Sequence, residues 1–290
     1  ALLALLTLLA LLASSSADVY CPGNGRDMND ETPSPSSGGE AGGVVTFVWG
    51  GWVLKGGARV SSKTAWDLLG GFVEFDMDVS GVADAVNTNL YTSSPSQPNC
   101  GAACYCDIQK SPSRPSCMEL DLLENNGKCL LATTIHTLAT DGRPNNQDCD
   151  RWGCQSQAKL PGSGKFHIHT QFGLDGTVTV YLDGVANANY RPIPSHRSKE
   201  VVVRTMQSIG AVIESSQWFG WVPGGNSCPT GDASGLAGSV VSVSNLRVNG
   251  TVKQGPTPTL CPKPGPSPGP SPGPSPGPSP GPSPGPSPGP

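Results

Sequence analysis

Three carboxylates fall within six residues at Glu119, Asp121 and Glu124, in the run Met118-Glu119-Leu120-Asp121-Leu122-Leu123-Glu124-Asn125-Asn126. Two carboxyl groups held roughly 5 Å apart can hydrolyse a glycosidic bond with retention of configuration. One attacks the anomeric carbon. The other protonates the leaving oxygen and then activates water. That acid must keep its proton near neutral pH, and a charged neighbour raises its pKa. On this reading Glu119 is the nucleophile, Asp121 its orienting partner and Glu124 the acid/base. The bland alternative is a solvated acidic strand edge, which three acids in six residues of a chain only 14% charged disfavour.

The apolar residues between the acids make the run a strand with one greasy face and one acidic face. Side chains alternate along a strand, so Glu119 and Asp121 share a face. Glu124 lies five positions from Glu119, an odd offset, and points the opposite way in a regular strand. One inserted residue near Leu122–Leu123, a β-bulge, returns Glu124 to the acidic face and leaves Leu120 in the core.

Neighbouring segments place more polar residues on single faces. Val86 to Tyr91 puts Asn87, Asn89 and Tyr91 together, and Tyr105, Asp107 and Gln109 share a face in the same manner. Several such faces beside aromatics fit a concave sheet that holds a polar ligand. Trp218 and Trp221 are candidate sugar platforms, because a flat indole suits the C–H face of a pyranose and its N–H can meet a hydroxyl. Either could instead be core; Trp49, Trp52 and Trp66 are read as core or edge. His136, twelve residues past Glu124, either returns beside the carboxylates or merely bonds a loop. His167 and His169 share a strand face, as a metal pair or a solvent-facing pair. His196 carries no signal. Asn249-Gly250-Thr251 is a sequon, expected at a strand end.

The elements that must position these residues are strands. Phe72 to Val79 alternates, with Val73, Phe75, Met77 and Val79 inward. Lys165 to Phe172 and Thr177 to Leu182 form a hairpin pair about Leu174-Asp175-Gly176. Val44 to Trp52, Leu130 to Thr137, Val201 to Thr205, Ser208 to Glu214 and Ser239 to Val248 are further strands, and no stretch has helical periodicity. The expected fold is all-β: a concanavalin-A-like antiparallel β-sandwich, or jelly roll, with a concave substrate cleft.

Both ends differ from the middle. The chain opens on twelve nearly all-apolar residues, too short for a membrane span and suited to the h-region of a secretory signal, with Ser15-Ser16-Ala17 for cleavage. Residues 1–17 are thus a signal peptide with a truncated start, 18–43 a loosely ordered lead-in, and 44–256 one catalytic-sized domain. Residues 257–290 are a Pro/Gly/Ser-rich linker or tail that ends in six Ser-Pro-Gly-Pro repeats. Such a segment builds no core and is an extended, semi-rigid spacer toward a possible further C-terminal module, or a wall-associated tail. The formal charge of −4, with no basic block, argues against nucleic acid or an anionic membrane and fits a neutral polysaccharide.

The ten cysteines, an even number behind a signal, imply disulfides and an extracellular, oxidising compartment. Seven lie between residues 100 and 154, flanking the acidic strand, and are read as staples for cleft loops. A metal site is the competing reading, but Cys100-x3-Cys104-x-Cys106 lacks paired C-x2-C spacing. No metal and no cofactor is expected.

These motifs resemble glycoside hydrolase family 7, the cellobiohydrolases and endoglucanases of the clan shared with family 16. Asn87-Thr88-Asn89-Leu90-Tyr91 is similar to the family's N-x-x-L-Y strand, and Tyr105-Cys106-Asp107-Ile108-Gln109 to its Y-C-D-x-Q segment. Cys117 to Glu124 resembles C-x-E-M-D-I-W-E, Cys149 to Cys154 resembles C-D-x-x-G-C, and Ser244-Asn245-Leu246-Arg247 resembles the closing S-N-I-R/K strand. The pieces occur in family order over roughly residues 44–255. Family 16 laminarinases also carry E-x-D-x-x-E, so the acidic strand alone does not separate the two.

The resemblance implies Glu119 as nucleophile, Asp121 as its assistant and Glu124 as acid/base. Asn87, Tyr91, Tyr105, Asp107, Gln109 and His136 then line the cleft, with Trp218, and more loosely Trp221, as sugar platforms. Three departures stand out: a short domain, Leu122-Leu123 in place of Ile-Trp, and no arginine just before Cys228. Short loops imply an open cleft and endo cleavage. The expected activity is that of a secreted retaining endo-β-glucanase acting on β-1,4-glucan. The rivals are a β-1,3 or mixed-linkage glucanase, a non-catalytic carbohydrate-binding jelly roll and a structural wall glycoprotein.

Overall fold

The computed structural model describes residues 18–23, 25–32, 42–95, 118–137, 149, 153–183 and 196–262, with the backbone of 185–186. Tyr105, Asp107, Gln109, the terminal apolar run and the Ser-Pro-Gly-Pro repeats lie outside the described residues.

Among the described residues, fifteen strands form two antiparallel sheets, the expected jelly-roll sandwich. The first sheet is ordered β13 (Val185–Ala186), β12 (Val178–Leu182), β11 (Lys165–Phe172), β6 (Ala65–Gly81), β15 (Val240–Gln254), β4 (Gly51–Lys55) and β3 (Val44–Val48); β1 (Val19–Tyr20) pairs with β15. The second is ordered β10 (Cys154–Lys159), β9 (Leu130–His136), β8 (Glu119–Asn126), β7 (Val86–Ser93), β14 (Val212–Phe219), β5 (Arg59–Ser62) and β2 (Met28–Asp30).

The period-two pattern decides what lies between the sheets. Val73, Phe75, Met77 and Val79 of β6 and Val241, Val243, Leu246 and Val248 of β15 are buried from one side. Leu90 of β7, Leu120 and Leu123 of β8, Ile135 of β9 and Ile213 of β14 meet them from the other. Trp52 and Trp66 are core, as expected, whereas Trp49 at the end of edge strand β3 is 62% exposed.

Three expectations are corrected. Val201 to Thr205 is not a strand: it lies inside helix α1 (His196–Ser208). Ser198, Val201, Val202, Thr205 and Met206 are buried while Glu200, Arg204 and Gln207 are exposed, a spacing of three and four that suits a helix packed on β6. The β-branched triplet set a local preference that this amphipathic burial outweighs. The stretch 18–43 also contributes to both sheets, since β1 pairs with β15 and β2 with β5, and Cys21 is bonded to Cys261. Finally, Asn249 lies within β15 rather than at its end; it is half-buried in register with Phe72 and Val19, and its amide donates to the Asp18 carbonyl.

Cys129–Cys228 and Cys149–Cys154 are the other disulfides among the described residues, and both flank β8–β10. No helix among the described residues is long and apolar enough to cross a membrane.

Candidate active site

The parity problem in the acidic run is solved on β8 itself. Pairing with β7 runs Leu90 to Leu123 and then Tyr91 to Asp121, which leaves Leu122 as an extra residue. Pairing with β9 shows the same insertion: Asp121 opposes Thr134, and three residues later Glu124 opposes Ala132, two positions back. This is the bulge that the spacing demands. The displaced backbone is satisfied by Thr133, whose hydroxyl donates to the Leu122 carbonyl at 3.2 Å. Leu122 and Leu123 are both buried in the core.

Register then builds a polar lattice on the face turned away from the core. Across β14, β7, β8 and β9 one row is Glu214, Tyr91, Asp121 and Thr134. Beside it lie Ser216, Asn89 and Glu124, then Trp218, Asn87 and Asn126; on the other side are Ser93, Glu119 and His136. The three carboxylates are recessed, with Glu119 7%, Asp121 6% and Glu124 9% exposed.

Each acid has a different setting. His136 Nε2 lies 3.2 Å from Asp121 Oδ2. Asn87 Nδ2 donates to Glu124 Oε1 at 3.1 Å and to the Trp221 carbonyl at 3.2 Å. Burial, followed by repulsion from Asp121, pushes the Glu124 carboxyl up to about 8; Asn87, His136 and Thr134 pull against that shift. Glu124 therefore carries a proton at neutral pH. Burial, with Glu214 and then Glu119 and Asp121 among the charges around it, raises Tyr91 well above the ordinary phenol value. It stays a protonated phenol, able to donate to an acid.

The structure brings together Glu119, Asp121, Glu124, Asn87, Tyr91 and His136, and it sets Trp218 half-buried on the same lattice. Trp221 sits at the rim, 51% exposed, in the segment after β14. That segment is tied down by its own carbonyls: Pro223 accepts from Asn126 Nδ2 at 3.0 Å, and Cys228 is bonded to Cys129 beside the β8–β9 turn.

Several participants escaped the sequence reading. Glu214 is fully buried, accepts from Ser93 Oγ at 2.7 Å, and is pushed up to about 7, by burial above all. Its signal was present in the alternation Glu214, Ser216, Trp218 along β14. Thr134 acts through its hydroxyl on Glu124 and has no distinctive motif. Gly153 adopts φ +80, and a Cβ there would stand 2.9 Å from His136 Cε1. Only glycine admits the imidazole at that position.

No protein-family model and no curated protein sequence matches the chain. Solved structures do align with it. The native endocellulase EGI of Humicola insolens shares 16% identity over 70% of this chain and 76% of its own, with a TM-score of 0.45. The catalytic domain of an endo-1,3-β-glucanase (laminarinase) from Thermotoga petrophila shares 14% over 77% and 90%, with a TM-score of 0.49. The endo-β-1,3-glucanase of Pyrococcus furiosus shares 12% over 80% and 90%, also at 0.49. With identities this low and TM-scores below 0.5, these likenesses carry no conclusion about activity. They also do not choose between cellulases and laminarinases.

Proposed function

We propose that this protein is a retaining endo-β-glucanase that acts through Glu119, Asp121 and Glu124. The observation that carries the reading is the Leu122 bulge, which returns Glu124 to the face of Glu119 and Asp121 and leaves it protonated at neutral pH. A solvated acidic edge has no need of a bulge, nor of three acids each below 10% exposed.

In the proposed reaction the Glu119 carboxylate attacks the anomeric carbon while Glu124 gives its proton to the departing glycosidic oxygen. Glu124, now a carboxylate, takes a proton from water while the water oxygen bonds to the anomeric carbon, which breaks the bond to Glu119 and restores both groups. Asp121, held by His136, orients Glu119 and keeps the Glu124 proton in place by repulsion. Tyr91 meets a sugar hydroxyl and the Trp218 indole supports a pyranose ring, whereas Asn87, fully buried, positions Glu124 instead of lining the sugar as expected. Tyr105, Asp107 and Gln109 complete the cleft in the same proposal.

The linkage proposed is β-1,4, on the family 7 resemblance, and the short domain supports endo cleavage. A signal-directed, extracellular location is part of the reading, supported by three disulfides among the described residues. Reducing-end release from soluble cellulose, mixed-linkage glucan and laminarin, with Glu119→Gln in parallel, tests it. Turnover of the cellulose substrate that vanishes in the variant is expected. Turnover confined to laminarin moves the assignment to a β-1,3-glucanase. Binding without turnover on any of the three, unchanged in Glu119→Gln, sinks the catalytic reading.

A further inference from the structure

The outer face of the first sheet holds two histidines that the proposed hydrolysis does not use. We infer that His167 and His169 form a two-point chelate for a divalent late first-row metal ion of the zinc and copper class. They stand two residues apart on β11, on one face, and both line a depression of about 420 Å³ together with Gln171 and Tyr181.

The argument rests on which ring nitrogen is already engaged. His167 Nδ1 lies 2.7 Å from Asp76 Oδ1, and His169 Nδ1 lies 2.9 Å from Glu74 Oε2. A carboxylate at Nδ1 accepts the ring N–H there, fixes the ring orientation and leaves the Nε2 lone pair for a ligand. That is the outer-shell arrangement found behind metal-bound imidazoles. Two such carboxylate–imidazole pairs sit on adjacent rows of the same strands, β6 and β11. The His169 ring is further held by Phe72 and Tyr181, at centroid distances of 5.1 and 5.9 Å. The side chains remain 40% and 31% exposed, so an ion can reach them.

Local charge favours a cation. Glu74 pairs with the Arg247 guanidinium and Lys165 with Asp78, while Asp76 and Asp183, whose carboxylate accepts from the His167 backbone N–H, add two further negative charges. With neutral imidazoles the patch holds two net negative charges. Among the described residues no three metal-ligating side chains converge, so the chain supplies two nitrogens and water completes the coordination. Imidazole suits zinc and copper, whereas magnesium and calcium prefer oxygen donors.

Titration calorimetry of the intact, oxidised protein with Zn2+ tests this. One ion per chain is expected. His167→Gln or His169→Gln should weaken binding at least tenfold, and Asp76→Asn by roughly 10- to 100-fold through the lost outer-shell bond. Electron paramagnetic resonance of the wild-type protein with one equivalent of Cu2+ should show hyperfine coupling to two imidazole nitrogens, a readout independent of any variant's folding. No saturable binding up to millimolar Zn2+, or an affinity unchanged in both histidine variants, overturns the inference. Glucan hydrolysis should be unaffected by His167→Gln, so this site and the hydrolytic one fail or stand separately.

Discussion

On the outer face of the first sheet, Glu74 meets Arg247 and His169, Asp76 meets His167 and Asn245, and Asp78 meets Lys165. On the corresponding face of the second sheet, Glu119, Asp121, Glu124 and Glu214 occupy neighbouring rows, all at or below 9% exposure. Both faces arise from the same strand alternation. They differ in burial and in the partners given to each acid. The exposed face gives each of these carboxylates a partner of its own, and the ion pairs open to water, such as Lys165 with Asp78, contribute little. The recessed face buries its acids, and Asp121 adds repulsion at Glu124, so two of them hold protons at pH values where an exposed glutamate is ionised. An arrangement that raises a pKa by burial costs stability and prepares an acid for proton transfer, which is the usual sign of a functional site.

The comparison breaks hardest at Glu124. Glu124→Gln should lower kcat/KM for glucan by roughly 10²- to 10⁴-fold, with the far-UV circular dichroism unchanged. Equal loss from an acid of the first sheet, such as Asp78→Asn, would show that the two faces are not functionally distinct.

Beneath the recessed face, Leu120 is fully buried, and Leu120→Ala should cost about 2–5 kcal/mol, read as a lower midpoint in urea unfolding. The surface pairs opposite should barely register. Lys165→Ala, which removes the Asp78 partner, should change stability by about 0–1 kcal/mol, and less at high salt.

Two pH measurements sharpen the contrast. In the proposed reaction Glu124 acts as an acid while protonated, so kcat/KM should fall as pH rises through about 8. Asp121→Asn removes a repulsion that raises this pKa and should move that limb to lower pH. Asn87→Ala removes a bond that stabilises the carboxylate and should move it higher. Stability carries its own sign. Glu124 and Glu214 have folded-state values above the unfolded value of 4.5, so the unfolded chain releases their protons first as pH rises. The native state should lose stability from about pH 4.5 through 8, by at most about 1.4 kcal/mol per pH unit per group. Glu214→Gln should flatten that slope in urea titrations, the smallest of these pH effects.

Much of this was legible in the residues. The E-x-D-x-x-E spacing required a bulge to put three acids on one face, and the bulge lies at Leu122, where the count demanded it. The alternation along β6 and β11 gave core and hairpin directly. The failures have a common origin. Val201 to Thr205 has a local preference for strand, and only packing on β6 makes it a helix. Glu214 and Ser93 are far apart in sequence, and neither belongs to a motif; they meet because β14 and β7 pair.

What the sequence determined by itself is therefore periodic and local: strands, faces, the parity defect, and the residue types capable of acid–base chemistry. Tertiary structure alone decided which faces would be buried. Burial depends on which strands become neighbours, and it separates an acid that keeps its proton near neutral pH, as Glu124 does, from acids such as Glu74 that stand paired at the surface.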